Sequence, residues 1–298
     1  YFVFGALISP TDPVSVLGVL KEEDVPLSLQ SAVAGESLFN DGVGIVVFTI
    51  LLGAAITGAD FSLGEGARLF VIEAGGGVAV GLIFGWIGFR ALRSMDQYTL
   101  EVLITLAVVM GGYALCSQLH ISGPLAMAVA GLLIGNHGAN LAMSDQTLDY
   151  VNKFWELVDE VLNSVLFLLI GLEIIALVPG VDEFAFGLAA IPITLAARAI
   201  AVGGAIKAIP AARLTTPGSG RVLWWGGLRG GISIALALSL PAGETRDLLL
   251  AATFAAVLFS VLIQRATLGR LIDSLKAARS PAMEEGGAGP RVDGSGAD

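Results

Sequence analysis

Nine apolar stretches follow one another along the chain, at about residues 2–20, 31–56, 66–89, 99–118, 124–135, 155–177, 184–209, 222–240 and 248–269. A helix needs about 20 mostly apolar residues to cross the hydrocarbon core of a bilayer, and all but the fifth stretch come close to that length. Only 14% of the 298 residues are charged, against about 25% in an average soluble protein, and the mean hydropathy is +0.82. The sequence therefore predicts an all-α polytopic membrane protein with about nine transmembrane helices.

Orientation follows from the distribution of Lys and Arg in short loops. With nine spans the two ends of the chain lie on opposite faces. If the C-terminus is cytoplasmic, Lys21, Arg90, Arg93, Lys153, Lys207, Arg213, Arg221, Arg265, Arg270, Lys276, Arg279 and Arg291 are all inside, and only Arg68 and Arg246 are outside. This bias also supports the short fifth span, because removing it would invert everything upstream. Residues 1–274 are thus expected to form the membrane domain. Residues 275–298, rich in Gly, Ala, Pro and acid, read as a disordered cytoplasmic tail.

The chain starts at Tyr1 and runs straight into an apolar stretch, with no basic n-region and no small-residue cleavage site of the kind a signal peptide carries. It reads as a chain whose upstream part is missing. A net charge of −10 argues against a nucleic-acid partner, which would need a basic face. One cysteine and two histidines leave no Cys/His metal cluster to build. Without a Gly-x-x-x-x-Gly-Lys-Ser/Thr loop the chain has no nucleotide motor of its own, and no cofactor is expected.

Ionisable groups at membrane depth cost several kcal/mol and mark function by default. They concentrate in Ile8-Ser9-Pro10-Thr11-Asp12-Pro13, in Gly35-Glu36-Ser37-Leu38-Phe39-Asn40-Asp41-Gly42, and at Arg198 and Arg229. Pro13 lacks an N–H and clashes with the carbonyl of Ser9, so the first span cannot be one continuous helix. Two readings fit this break: freed carbonyls beside a carboxylate, a hard-oxygen environment for an alkali cation, or a kinked packing helix in which Asp12 caps the second half. In the second span Ser37 and Asp41 stack on one helical face, with Glu36 and Asn40 in a parallel row beside them. Two carboxylates and an Asn exceed what interhelical glue requires. The eighth span is interrupted in turn, with Gly226, Gly227, Gly230 and Gly231 around Leu228 and Arg229. Two broken spans of opposite orientation are the hallmark of secondary transporters built from inverted repeats, with the substrate site where the breaks cross. Arg198 and Arg229 need counter-charges among Asp12, Glu36, Asp41 and Glu173; pairing one arginine with Glu36 leaves Asp12 and Asp41 for a cation.

Taken in this order, Thr11-Asp12-Pro13, Gly35 to Gly42 and Gly227-Leu228-Arg229-Gly230-Gly231 resemble the sodium/proton exchangers of the monovalent cation:proton antiporter superfamily, in the branch that carries an Asn–Asp pair. The resemblance extends to about Ser274 and is that of a member whose first helices are missing. It implies a homodimer in the plasma membrane that exchanges Na+, or Li+ or K+, for H+, electroneutrally and by alternating access. It further implies that Asp41 is the essential carboxylate binding either cation or proton. Asp12, Thr11, Ser37 and Asn40 would belong to the cation/proton site, with Asp12 and Asp41 as Na+ ligands. Glu36 and Arg229 would form a buried ion pair, and Arg198 would modulate the site. Burial disfavours a bare carboxylate, so cation and proton would compete at Asp41. The alternatives are an uncoupled cation channel using the same acids and a transport-inactive or regulatory membrane subunit.

Other features read more simply. Gly77, Gly81 and Gly85 make a small-residue stripe for close helix contact, and Cys116 is a small core residue. His120 and His137 lie at segment ends. Glu156, Asp159 and Glu160 fall in the first turns of the sixth span, where acids suit the helix dipole, and Glu22-Glu23-Asp24 is a solvated loop.

Overall fold

The computed structural model describes residues 1–57, 62–94, 96–138, 143–176, 181–208 and 218–277, and every regular element among them is helical. The first span is α1 (Phe2–Leu7) and α2 (Pro13–Glu22), separated by an unwound stretch. Then follow α3 (Leu27–Thr57), α4 (Leu63–Leu92), α5 (Tyr98–Leu119) and α6 (Gly123–Leu133), the last extended by a π-helical turn at Ile134–Gly138. The second part contains α7 (Asp145–Ala176) and α8 (Val181–Ala208), then the broken span α9 (Ser219–Trp225) and α10 (Gly231–Leu238). It closes with α11 (Glu244–Phe259), a π-helical turn at Ser260–Gln264, and α12 (Arg265–Ala277).

With each broken or π-interrupted span counted as one unit, these elements fall on the nine apolar stretches. Among the described residues five helices are long and apolar enough to cross a membrane: Leu27–Thr57, Leu63–Leu92, Tyr98–Leu119, Ala185–Ala208 and Glu244–Lys276. The shorter apolar helix Gly123–Asn136 corresponds to the fifth stretch. The chain is a multi-pass α-helical membrane protein. Side chains such as Ile83 and Trp86 on α4 and Leu168 on α7 point out of the fold, as lipid-facing residues do.

Two expectations shift. α7 begins at Asp145, well before 155, so Glu156, Asp159 and Glu160 sit in its interior rather than in its first turns. The added turns are polar and supported locally: the Ser144 hydroxyl accepts from the amide of Thr147 at 3.4 Å, and Lys153 pairs with Asp149 at 2.6 Å. At the other end α12 continues to Ala277, so residues 275–277 are helical; the rest of the expected tail, 278–298, lies outside the described residues.

Two apolar cores frame the middle of the molecule. One gathers Leu7, Ile8, Phe48, Ile234, Leu250 and Phe254, which come from α1, α3, α10, α11 and the residue after α1. The other gathers Val16, Leu20, Val33, Val222, Leu228 and Leu268, from α2, α3, α9, the break after α9, and α12. The first broken span thus runs from the first core to the second, and the other broken span runs back. They are antiparallel, with both breaks at the level between the cores. The stripe on α4 is where α6 packs: a Cβ on Gly77 would lie 2.7 Å from the carbonyl oxygen of Ser122, and one on Gly85 would lie 3.0 Å from Cα of Ala130.

Candidate functional site

Both breaks obey backbone chemistry. At the first, Asp12 is extended (φ −90°, ψ 107°) and caps α2, with Pro13 in the first helical position where no N–H is needed. Its carboxylate accepts from the amide of Val14 at 3.0 Å and from the hydroxyl of Ser15 at 2.7 Å. At the second, α9 ends at Trp225 and α10 starts at Gly231. The breaks touch directly, since the Asp12 amide donates to the carbonyl of Leu228 at 2.8 Å. Glycine is required at this approach, because a Cβ on Gly230 would stand 2.8 Å from that of Asp12.

Against the first break lies α3, whose two polar rows point in different directions. Ser37 and Asp41 face the unwound stretch. The amide of Thr11 donates to Oδ1 of Asp41 at 2.9 Å, the hydroxyls of Thr11 and Ser37 are 2.9 Å apart, and the Ser37 hydroxyl also bonds the Thr11 carbonyl. Thr11 and Ser37 are buried, while Asp41 keeps part of its surface open. Three of the residues singled out in the sequence thus form one cluster of hard oxygen atoms. Asp12 adjoins it through the backbone, and its carboxylate is held by the α2 cap.

Glu36 and Asn40 occupy the other row, about 100° round the helix from Ser37 and Asp41 at 3.6 residues per turn. Asn40 therefore does not join the Asp41 cluster: its amide donates to Glu36 at 3.3 Å. The expected pairing of Glu36 with Arg229 is also corrected. Glu36 pairs with Arg198 of α8, Nη2 to Oε1 at 2.9 Å. Arg229 instead reaches back to the first break, donating from Nη1 to the carbonyls of Ser9 at 2.6 Å and Pro10 at 3.2 Å.

The exchange of partners has a physical reason. The last carbonyls of a helix have no partner within it, and hydrocarbon offers no water to satisfy them. Cations suit such ends, where the helix dipole is negative. Arg229 serves the carbonyls freed beyond α1. Arg198 serves those at the end of α9, its guanidinium lying against Leu223 O (2.8 Å from Nη2, 3.2 Å from Nε) and Trp224 O (3.2 Å). Gly227 makes room for it; any Cβ there would overlap the guanidinium. A cavity of about 660 Å³ opens beside Glu36, Asn40, Arg198 and Arg229.

Among the described residues no group of three or more His, Cys, Asp or Glu gathers as transition-metal ligands would. The oxygen set of Thr11, Ser37 and Asp41, with one carboxylate, instead matches a hard monovalent cation. The side chain of Glu173 lies outside the described residues. Sequence reading passed over Ser260 and Gln264, both buried in the last span and bonded to each other at 2.7 Å. Their only signal was two polar residues one turn apart in the run Phe259 to Gln264.

Comparison with known proteins bears on the same residues. Residues 1–273 match the family described as sodium/hydrogen exchanger, transmembrane. The chain is 49% identical over 288 residues to the Na(+)/H(+) antiporter NhaP of Pseudomonas aeruginosa, covering 95% of this chain and 68% of that protein. It is 39% identical over 282 residues to the antiporter NhaH of Halobacillus dabanensis, covering 92% of this chain and 68% of the relative. A more distant relative, the probable Na(+)/H(+) antiporter nhx-9 of Caenorhabditis elegans, is 30% identical over 95% of this chain and 44% of its own length. With all but its C-terminal residues matched, and with two broken helices crossing at the Thr11–Ser37–Asp41 cluster, the chain belongs to the sodium/hydrogen exchanger family.

Proposed function

We propose that this protein is a secondary antiporter exchanging Na+, or Li+ or K+, for H+, and that Asp41 binds the cation and the proton in turn. The observation that carries this reading is the bond from the Thr11 amide to Asp41 at 2.9 Å, with the Thr11 and Ser37 hydroxyls alongside. One carboxylate, held by unwound backbone at the level between the two cores, meets both requirements: oxygen ligands for an alkali ion and a single site for a proton. Asp12 contributes by capping α2 and by orienting the Thr11–Asp12 backbone.

Coupling follows from charge. Moving a bare carboxylate through a low-dielectric barrier is heavily penalised. With either Na+ or H+ bound the site is neutralised, so it crosses loaded and not empty. Glu36 is paired with Arg198 and Arg229 is held by the freed carbonyls of Ser9 and Pro10, so Asp41 is the carboxylate shared by Na+ and H+ and the exchange is one for one. The carriers of motion are the two broken helices with α3 and α8, rocking against the remaining helices. The reading places residues 1–274 as the membrane domain of a homodimer in the plasma membrane, with the C-terminus in the cytoplasm. The ion gradient supplies the driving force and no substrate is chemically altered.

The test is cation-dependent proton flux in proteoliposomes with Na+, Li+ and K+ in turn, for the wild type and for Asp41→Asn. Na+- or Li+-driven proton movement that disappears in Asp41→Asn is the expected result. Cation flux without proton coupling, or flux that survives Asp41→Asn, would instead favour a channel.

A further inference from the structure

Six carbonyls at the end of α9 and in the break, those of Val222 to Gly226 and of Leu228, have donors, and the donors come from different places. Val222 O accepts from the Gly226 amide at 2.7 Å, Gly226 O from the Leu228 amide at 2.9 Å, and Leu228 O from the Asp12 amide at 2.8 Å. Leu223 O and Trp224 O are taken by Arg198. Next along the chain, Trp225 O accepts from Nε2 of Gln264 at 3.0 Å. Backbone groups in a bilayer must be satisfied within the protein, so a donor at Trp225 O is as necessary as one at the other two.

Gln264 is built for this role. It is 2% exposed and Ser260 is 1% exposed. The Ser260 hydroxyl donates to Oε1 of Gln264 at 2.7 Å, which fixes the amide so that its NH2 group faces Trp225 O. Both residues lie in the π-helical turn Ser260–Gln264, a wide turn that occurs often at functional sites. One turn further on, the Thr267 hydroxyl accepts from the indole N–H of Trp225 at 2.9 Å. The same residue of α9 is thus held by its carbonyl and by its ring.

We propose that Gln264, oriented by Ser260, is a positioning residue for the cation site, acting through the break of α9. By ending α9 at Trp225 it sets the course of Gly226–Gly230. That course places Leu228 O under the Asp12 amide and Arg229 on the carbonyls of Ser9 and Pro10, the backbone that presents Thr11 to Asp41. This inference rests on the exchange reading for its transport readout, so a second readout is independent of transport.

Three variants separate positioning from packing. Gln264→Met keeps the bulk and removes the donor; Gln264→Glu keeps the shape but can donate to Trp225 O only when protonated; Leu92→Ala removes a fully buried side chain of α4 from a separate core with Val108, Ala130 and Ile134. In proteoliposomes Gln264→Met should raise the apparent KM for Na+ about tenfold, as expected for loss of a buried bond, and Leu92→Ala should leave it unchanged despite lower stability. Relative to wild type at the same pH, Gln264→Glu should recover as the pH is lowered. Hydrogen exchange at residues 9–12, followed by mass spectrometry, should accelerate in Gln264→Met and not in Leu92→Ala. A KM that merely tracks stability in both variants, or Gln264→Glu with no recovery at low pH, would overturn the proposal. If the wild type shows no Na+-driven proton flux, the exchange reading fails, and the hydrogen-exchange arm alone then decides the positioning role: unchanged exchange at residues 9–12 overturns it.

Discussion

The pairing of Arg198 with Glu36 can be tested as a thermodynamic cycle. Arg198 is 8% exposed and the Glu36 side chain 30%, so the guanidinium is the more committed partner. Arg198→Met removes the ion pair and strands the carbonyls of Leu223 and Trp224. Breaking a buried pair in this way costs about 3–5 kcal/mol. At about 2–4 °C per kcal/mol for a chain of this size, its melting temperature in detergent should fall by roughly 6–20 °C. Glu36→Gln is milder, about 1–3 kcal/mol, because Arg198 retains its carbonyls and Glu36 is partly open to solvent. The double variant should cost less than the sum, by a coupling of about 0.5–3 kcal/mol, the range for residues in contact. Glu36→Gln combined with Arg229→Met should show a smaller coupling than Glu36→Gln with Arg198→Met, since those two residues share no hydrogen bond. Thermal unfolding followed by tryptophan fluorescence gives all the terms. Coupling of Glu36 to Arg229, with plain additivity to Arg198, would refute the assignment of partners and the reasoning from freed carbonyls behind it.

Other expectations are shorter. Thr11→Val and Ser37→Ala each remove a hydroxyl from the Asp41 cluster and should raise the apparent KM for Na+ by about five- to tenfold, at about 1 kcal/mol each, measured as Na+-dependent proton flux. On the proposed competition of Na+ and H+ for Asp41, the apparent Na+ affinity of the wild type should fall as the pH is lowered; an affinity flat with pH would remove the shared site. Gly81→Leu should destabilise by at least about 1–3 kcal/mol through overpacking, because even a Cβ there collides with Ala126 and Val129 of α6; an unchanged melting temperature would show that α4 and α6 are not in contact. At the membrane face Lys276 bonds Glu23 at 2.8 Å and holds its carboxyl below the usual carboxylate range. A depressed carboxylate gives its stabilisation above its ordinary range and loses it as pH falls through the depressed value. Hydrogen exchange at 270–277 should therefore quicken on acidification in the wild type, and Lys276→Gln should abolish that response.

Much of the fold was legible because it is decided within a turn or two of chain. Apolar runs of bilayer length must be helices, whatever they pack against. Pro10 and Pro13 forbid a continuous first span by their missing N–H groups alone, and Asp12 before Pro13 is an N-cap by local chemistry. The period of 3.6 residues put Ser37 with Asp41 and Glu36 with Asn40 in separate rows, and the Gly77–Gly81–Gly85 stripe announced a close contact that α6 fills. The start of α7 was missed because its first turns are polar, and hydropathy sees only the apolar part of a helix.

What the chain alone could not decide is which partner each row meets. Both arginines lie mid-span and the two acids of the motif are five residues apart on α3, so local pattern and charge balance allowed either pairing. Packing chose: α8 crosses α9 where Gly227 leaves space for a guanidinium, which brings Arg198 to Glu36 across 162 residues of sequence, while the antiparallel course of the broken helices carries Arg229 to the carbonyls of Ser9 and Pro10. The same holds for Asn40, turned from the cation cluster to Glu36, and for Gln264, which has no meaning until Trp225 O lies beside it. Sequence determines where a backbone carbonyl is set free; only the tertiary structure determines which side chain satisfies it, because that donor must arrive from another helix.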